Sequence, residues 1–353
     1  MERALDLAER GRGRTTPNPI VGAVVVTPDG IVVGQGAHLE AGGPHAEVLA
    51  LEAAGRRARG AVLYCTLEPC SHSGRTGPCA ERVVAAGITR VVVATVDPNP
   101  LVSGAGLQYL SEHGLEVSVG IGRERAERQN APFFTWVTKK RPFVTLKVVV
   151  SRDGYVGRTG APVRLTGPAA DRFFHRQRAE IDALAVGAGT VLSDDPLLTA
   201  RGAFRHRPLT RVIFDWRARV PHEARVFSTL AAGPVIMIVG TEAAERRQAA
   251  LRTLEARGVV VERRPARSIS GVMAYLAGRD IMSLLVEGGP LLHEAFIEAD
   301  LVDRVQRVVT PHELGTGVPA EADWAERLQL KTPVRHAMLG PDEMMEADVH
   351  RTD

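Results

Sequence analysis

Cysteine is scarce in this 353-residue chain, and its placement excludes more than its number. The three thiols, Cys65, Cys70 and Cys79, lie within fifteen residues of one another, an odd and clustered set that does not read as a disulfide framework. Charge of one sign is also short. Lys and Arg number 44 against 41 Asp and Glu, and the resulting +3 is too small to argue for nucleic acid or an anionic membrane. No basic run resembles a binding arm, and no stretch approaches the roughly 18 apolar residues of a membrane span. The N-terminal "MERALDLAERGRGRTTPNP" alternates its charges and lacks the apolar core of a secretory signal. These absences make the cytoplasm the expected compartment and metal binding the expected use of clustered thiols. Long Gly/Ser linkers, low-complexity tracts and short-period repeats are missing as well. What is present is an ordinary globular composition, 44% hydrophobic and 24% charged, at a length that predicts about two domains.

The first part alternates strands and helices. "IVGAVVV" (20–26) and "IVVGQGAH" (31–38) predict a hairpin around a Pro-Asp-Gly turn. A helix follows from "GGPHAEVLAL" (42–51) and stops near Gly55. "AVLYCTLEP" (61–69) predicts a strand, "CAERVVAAG" (79–87) a helix and "TRVVVATVD" (89–97) another strand. "GLQYLSEHG" (106–114) and "LEVSVGI" (115–121) complete a three-layer α/β pattern. Residues 123–141 predict one charged helix running into a junction, with a domain boundary near 141. A second α/β set opens at "PFVTLKVVVSRDGYVG". Its later strands are "IDALAVG" (181–187), "RVIFDW" (211–216), "PVIMIVG" (234–240), "VVVERR" (259–264) and "IMSLLVE" (281–287), and its clearest helix is "EAAERRQAALRTLEARG" (242–258).

Chemistry concentrates in the first part. His45 and Glu47 begin a helix behind Gly42, Gly43 and Pro44; Cys70 ends a strand; Cys79 begins the next helix after eight intervening residues. Helix N-termini favour thiolates, so both sulfurs suit a metal. A His/Cys/Cys set leaves tetrahedral zinc an open position for water, which is the catalytic arrangement. Glu47, two residues past a ligand, can reach that water without binding the metal, take its proton and pass it to a leaving amine. His-x-Glu followed by Pro-Cys and a second cysteine is the zinc deaminase signature, here with eight residues in place of the usual two between the cysteines. Alone, the His-Glu pair also fits an incidental first helical turn. Cys65, mid-strand, reads as a core residue. His72, inside the cysteine loop, reads as a loop contact, or as the fourth ligand of a closed structural site.

Taken together, these stretches resemble the bifunctional deaminase–reductase family of riboflavin biosynthesis, the RibD type. "TTPNPIVGAVVV", "GAHLEAGGPHAEVLAL", "TLEPCSHSGRTGPCAERVVAAGITRVVVATVDPNPLVSGAG" and "TLKVVVSRDGYVG" stand in the family's order, so the resemblance spans nearly the whole chain. It implies a cytidine-deaminase-like three-layer domain over residues 1–141 and a dihydrofolate-reductase-like α/β domain over 142–353. The implied reactions are zinc-dependent deamination of 2,5-diamino-6-(5-phosphoribosylamino)pyrimidin-4(3H)-one, then reduction of the product's ribosyl to ribityl by NADPH. One Zn2+ per chain and small pyrimidine ribotides are the implied partners, with no nucleic acid and no membrane, and with a homo-oligomer left open.

By position in the family, Asn18, His38, Arg75 and Asn99 line the deaminase pocket, where amides read ring edges and Arg75 meets the ribose phosphate. Lys147 is the candidate reductase catalytic residue. Val149, Arg164, Thr190, Asp194, Trp216 and the run Gly289, Pro290, Leu291, Leu292, His293, Glu294 and Ala295 fall to NADPH. Pro162, Arg178, Leu198, Arg201 and Glu287 fall to the reductase substrate. Two glycines between the strand ending at Glu287 and the following helix allow close backbone approach to a phosphate; no G-x-G-x-x-G is present. One stretch departs from the family: in "RTGAPVRLT", Pro162 stands for a serine and Arg164 for a tryptophan, and Arg164 is expected to pair the extra phosphate of NADPH. Two other readings compete, an active deaminase with an altered reductase-like domain and a zinc-stabilised binding protein without turnover. Glu47 argues against the second, because a purely structural site needs no carboxylate beside the water.

Overall fold

The computed structural model describes residues 1–71, 77–100, 102–158, 162–320 and 327–349. The chain divides into two compact units, Met1–Arg141 and Pro142–Asp353.

The first unit opens with α1 (Glu2–Ala8) and the hairpin β1 (Gly22–Val26) and β2 (Val32–Ala37). There follow α2 (Ala46–Ala54), β3 (Val62–Cys65), α3 (Cys79–Ala85), β4 (Arg90–Val93), α4 (Ala105–Glu112), β5 (Glu116–Val119), α5 (Arg123–Gln129) and α6 (Ala131–Lys139). Its sheet runs β2-β1-β3-β4-β5, with β1 antiparallel to both neighbours and the remaining pairs parallel. α2 lies unusually close to the hairpin. A Cβ on Gly34 or Gly36 would stand 2.0 Å from Ala50 O or 2.3 Å from Ala46 O. Those glycines, facing Ala46, Ala50 and Ala54 on one helical face, let α2 sit directly on the sheet and fix where its first turn points.

The single helix expected over 123–141 is two. Asn130 (φ −101°, ψ 11°) interrupts it because its side chain serves Ile20: Oδ1 accepts Ile20 N–H (2.9 Å) and Nδ2–H donates to Ile20 O (2.9 Å).

The second unit contains β6 (Phe143–Val150), β7 (Tyr155–Gly157), α7 (Pro168–Glu180), β8 (Ala183–Gly187), α8 (Ala188–Asp194), β9 (Thr210–Phe214) and β10 (Val235–Gly240). It continues through α9 (Thr241–Arg246), α10 (Gln248–Ala256), β11 (Val260–Arg264), α11 (Ile269–Ala277), β12 (Ser283–Val286) and α12 (Pro290–Glu298). It closes with β13 (Arg304–Val309), β14 (Val318–Pro319), β15 (Arg335–Leu339) and β16 (Asp342–Asp348). Among the described residues, nine strands form one sheet in the order β11-β10-β9-β8-β12-β6-β13-β16-β15, while β7 and β14 pair separately. The first seven in that order are parallel and the last two antiparallel. Alternate residues feed a core on each face: Ala183 and Ala185 join Val144 and Phe296 on one side, Leu184 and Val186 join Ile213 and Phe227 on the other. The helix expected over 242–258 is also two, broken at Arg247 (φ −114°, ψ 21°), with α9 burying Ala243 and Ala244 and α10 burying Leu251 and Leu254. The carboxyl ends of β6, β8, β9 and β12 share one edge of the sheet, where open α/β sheets place their ligands.

Candidate active sites

In the first unit, the approach of α2 to the hairpin brings its N-terminus against the β3 loop. His45 is the residue that caps α2 (φ −73°, ψ 159°), and Cys79 is the first residue of α3. His45 Nδ1 lies 3.2 Å from Cys79 Sγ and 3.6 Å from Cys70 Sγ, and all three donor atoms fall within 4.8 Å of one another. Tetrahedral zinc with bonds of about 2.3 Å to sulfur and 2.0 Å to nitrogen would separate those atoms by about 3.5 Å, so the donor set fits the metal in both chemistry and spacing. The Cys79 backbone N–H donates to Cys70 Sγ (3.4 Å). Cys70 is held down at about 4 by the hydrogen bond from Cys79 and by His45, which outweigh its burial, while Cys79 is pushed far up because its neighbour takes the charge. The surroundings thus favour the thiolate on Cys70, the form that binds a metal. Glu47, in the first turn of α2, is 3% exposed, and burial raises its carboxyl to about 7. Cys65 is fully buried in the core and outside the ligand cluster.

Around that cluster, His38 Nδ1–H donates to Pro44 O (3.0 Å), which leaves Nε2 to accept from Asn18 Nδ2–H (3.1 Å). Burial lowers the pKa of His38, consistent with a neutral ring, and its edge meets the His45 ring at 5.4 Å between centroids. Arg75 and His72 lie outside the described residues. Asn99 sits in a turn where its N–H donates to Asp97 Oδ1 (2.8 Å) and its carbonyl accepts Val102 and Ser103 N–H. Sequence reasoning missed the residue that holds this turn. Glu68, buried and two residues before Cys70, accepts backbone N–H groups of Asp97 (3.2 Å), Gly104 (3.0 Å) and Gly106 (2.8 Å). The available signal was an acid at the end of an apolar strand, directly ahead of Pro69.

In the second unit, a cavity of about 640 Å³ opens at the carboxyl edge of the sheet. Glu287, just beyond β12, forms its charged floor. Arg178 holds it in a fork, Nε to Oε1 at 2.7 Å and Nη2 to Oε2 at 2.5 Å, while Arg178 Nη1 donates to Thr199 O (3.1 Å). Lys147 Nζ stands 3.6 Å from Glu287 Oε2 and 4.0 Å from the centre of the Phe174 ring. Burial pushes Glu287 up, but Arg178 and Lys147 overcome it and hold the carboxyl at about 2; burial likewise lowers Lys147.

The cavity wall includes Val149, Thr190, Asp194, Trp216, the run Gly289–His293 and Ala295. A glycine cradle suited to a dinucleotide lies here: a Cβ on Gly288 or Gly289 would fill the space before Thr190 Oγ1, at 3.7 and 3.4 Å. His293 contributes a buried Nε2 with no partner, a polar atom left over for a ligand. Together with the size of the cavity, these features fit NADPH.

Several expected residues are not on that wall. Glu294 pairs with Arg327 (2.6 and 2.9 Å). Pro162 is exposed and, like Arg164, is not on the wall; Arg164 is bound to Asp171 in the first turn of α7. Leu198 is buried in the core at φ +53°, and the Arg201 N–H donates to His175 Nδ1 (3.2 Å). Conversely, Arg158, Arg217, Arg219 and Arg267 line the cavity without having been singled out from sequence.

A metal-ready His/Cys/Cys cluster beside a buried glutamate, and a dinucleotide-sized cavity on a parallel sheet, define a deaminase joined to a reductase. The comparisons with known proteins agree. Residues 142–332 match the family description "RibD C-terminal domain", and residues 1–95 match "Cytidine and deoxycytidylate deaminase zinc-binding region". The riboflavin biosynthesis protein RibD of Aquifex aeolicus is 42% identical over 319 residues, covering 90% of this chain and 88% of its own. That of Bacillus amyloliquefaciens is 40% identical over 349 residues, covering 97% and 93%. Among solved structures, Acinetobacter baumannii RibD superposes with a TM-score of 0.85 at 34% identity, covering 99% of this chain and 98% of that one. The Thermotoga maritima diaminohydroxyphosphoribosylaminopyrimidine deaminase/5-amino-6-(5-phosphoribosylamino)uracil reductase gives 0.84 at 33%, covering 99% and 97%.

The chain belongs to the RibD family. It is a bifunctional deaminase and reductase of riboflavin biosynthesis that uses zinc and NADPH, with a cytidine-deaminase-like domain followed by a dihydrofolate-reductase-like one. Among the described residues no helix is long and apolar enough to cross a membrane.

Proposed function

We propose that residues 1–141 deaminate 2,5-diamino-6-(5-phosphoribosylamino)pyrimidin-4(3H)-one and residues 142–353 reduce the deaminated ribotide, in the cytoplasm. The observation that carries the first half is Glu47: a carboxyl buried beside the His45, Cys70 and Cys79 donors and held near 7. Zinc bound by those three side chains supplies the activation of water near neutral pH. Glu47 then acts as the proton carrier. From that buried position its carboxylate can take a proton from the attacking water and hand it to the departing amine. Asn18 and His38 form a hydrogen-bonded pair beside the donors, and with Asn99 they are assigned to hold the pyrimidine.

In the second unit NADPH supplies the hydride. Lys147 keeps an ammonium next to Glu287, ready to stabilise the negative charge that develops on the sugar oxygen. Arg178 and Glu287 fix that ammonium in place and, with Arg201, are assigned to the ribotide. The test is incubation of the purified chain with the diaminopyrimidine ribotide, with and without NADPH, followed by mass analysis of the products. A deaminated ribosyl product without cofactor and a ribityl product with it are expected. Unaltered substrate in both arms would refute the assignment.

A further inference from the structure

Glu287 and Lys147 begin a transverse row of polar side chains that runs on to the far edge of the sheet. Val286 pairs with Leu146, so Glu287 and Lys147 come next on β12 and β6. Lys147 is in turn the register partner of Gln306 on β13, Gln306 of Glu346 on β16, and Glu346 of Arg335 on β15. Partners in register share a face of the sheet, here the one under α7, whose Phe174 packs on Val308 and Met344, each two residues away along β13 and β16. From α7, Arg178 reaches Glu287 and Gln177 reaches Gln306. Gln177 Nε2–H donates to Gln306 Oε1 (3.0 Å), Gln306 Nε2–H donates to Glu346 Oε2 (2.8 Å), and Arg335 Nε–H donates to Glu346 Oε1 (3.1 Å). Gln306 is buried throughout. Assembling a reductase cavity does not by itself require two amides linked in this way.

The acid end fixes the direction of the chain. A carboxylate only accepts, so Gln306 turns its NH2 toward Glu346 and its oxygen toward Gln177, which answers with its own NH2. Each amide therefore presents its positive end toward Glu346. The last oxygen, Gln177 Oε1, is buried and has no hydrogen-bond partner among the described residues. A charge at one end of such a chain polarises every amide in it, so that oxygen is a strengthened acceptor. The nearest cation in the row is Lys147, one strand from Gln306 or about 4.8 Å across the sheet. Lys147 is short of acceptors, because Arg178 engages both oxygens of Glu287 and leaves Nζ at 3.6 Å. Burial and Arg178 both act against its charge, with Glu287 and Asp171 in favour and His293 facing it from α12.

We propose that Gln177 and Gln306, anchored on Glu346, are positioning residues for the reduction: the oxygen ends of their amides hold Lys147 as an ammonium directed at the reacting sugar. The proposal rests on the assignment of Lys147 to that reaction. The sequence has four lysines, Lys139, Lys140, Lys147 and Lys331, so NMR of isotopically labelled lysine side chains in the full chain can follow Lys147 by itself, with K147R identifying its signal. The variant is Q177M/Q306M, which keeps the shape and removes both amides together, so neither is stranded, while Glu346 keeps Arg335. Q177L/Q306L repeats the change with a different packing, and thermal melting checks the fold. The Lys147 titration midpoint should fall by about one pH unit, the tenfold scale of a hydrogen bond to a charged group. The alkaline fall in kcat for reduction should move down with it, while KM for NADPH and the rate of deamination change less than about twofold. An unmoved Lys147 midpoint in a folded double variant would overturn the proposal, and so would a loss of kcat that is uniform across the pH range. A K147M chain that reduces the ribotide at the wild-type rate would overturn the lysine assignment itself, and the proposal with it.

Discussion

At the scale of single residues, the proposed deamination turns on one buried carboxyl beside the candidate metal ligands. Burial keeps the Glu47 carboxyl near 7. Replacing it by Gln preserves shape but removes the proton carrier, so E47Q is expected to retain zinc and to lose deamination by roughly 10²–10⁴-fold or more, since the group acts twice. Metal content and turnover should be measured on one sample; near-normal turnover with zinc bound would remove Glu47 from the mechanism. Glu68 acts at a distance, gathering four backbone N–H groups from Asp97 to Leu107, the stretch that carries Asn99. In E68Q one acceptor becomes an amide facing donors, at a cost of about 1–3 kcal/mol. We expect KM for deamination to rise about tenfold, with kcat and zinc content far less affected; an unmoved KM would make Glu68 merely structural. The two glutamates differ in how readable they are. Glu47 is legible because its partners follow a fixed spacing within short segments. Glu68 is not, because its donors lie 29–39 residues further along the chain. Arg164 is the opposite case: sequence reveals the departure from the family, but not that Asp171 is in reach.

Among elements, legibility follows burial. The hairpin and the strands of the parallel sheet are apolar runs, because both faces of a parallel strand meet packing partners. β13, β15 and β16 escaped notice. β16, "DEMMEAD", is acid-rich, and it extends only because its main chain pairs with β13 and because Arg335 and Gln306 take up the Glu346 carboxylate. The helix over 123–141 was misread for a similar reason, since the claim of Ile20 on Asn130 comes from more than a hundred residues away. The element that matters most for chemistry is α2, whose position depends on the absence of side chains at Gly34 and Gly36. In G36A the new Cβ would meet Ala46 O at 2.3 Å, and backbone must move because no side chain there can give way. Since Ala46 lies between His45 and Glu47, the shift is delivered to the metal site. The expected outcome is a loss of at least 1–3 kcal/mol in stability, on the scale of overpacking, together with weakened zinc retention and deamination. Loss of stability with full zinc affinity would show that the ligands do not depend on the docking of α2.

For the molecule as a whole, the two units should answer acid differently, and the second has two groups that set its response. His293 is kept neutral by burial, which lowers its pKa from 6.5 to about 4. The unfolded chain binds a proton there below about 6.5 and the folded chain only below about 4, so the unit is favoured above 6.5 and loses that contribution as pH falls between those values. By linkage this amounts to at most about 3 kcal/mol. Glu287 has a carboxyl depressed to about 2 by Arg178 and Lys147 against its burial. Its contribution is complete above the ordinary carboxylate range and disappears as pH drops from about 4.5 to 2. Stability of residues 142–353 should therefore fall in two stages on acidification, the first without disturbing the Glu287 cluster. Hydrogen exchange of peptides from β8 and β12, followed in the full chain from pH 7 to pH 3, resolves this unit from the other. In H293N the decline between 6.5 and 4 should largely vanish while the later one persists. An unchanged profile in that variant would mean that the buried ring does not govern the first stage.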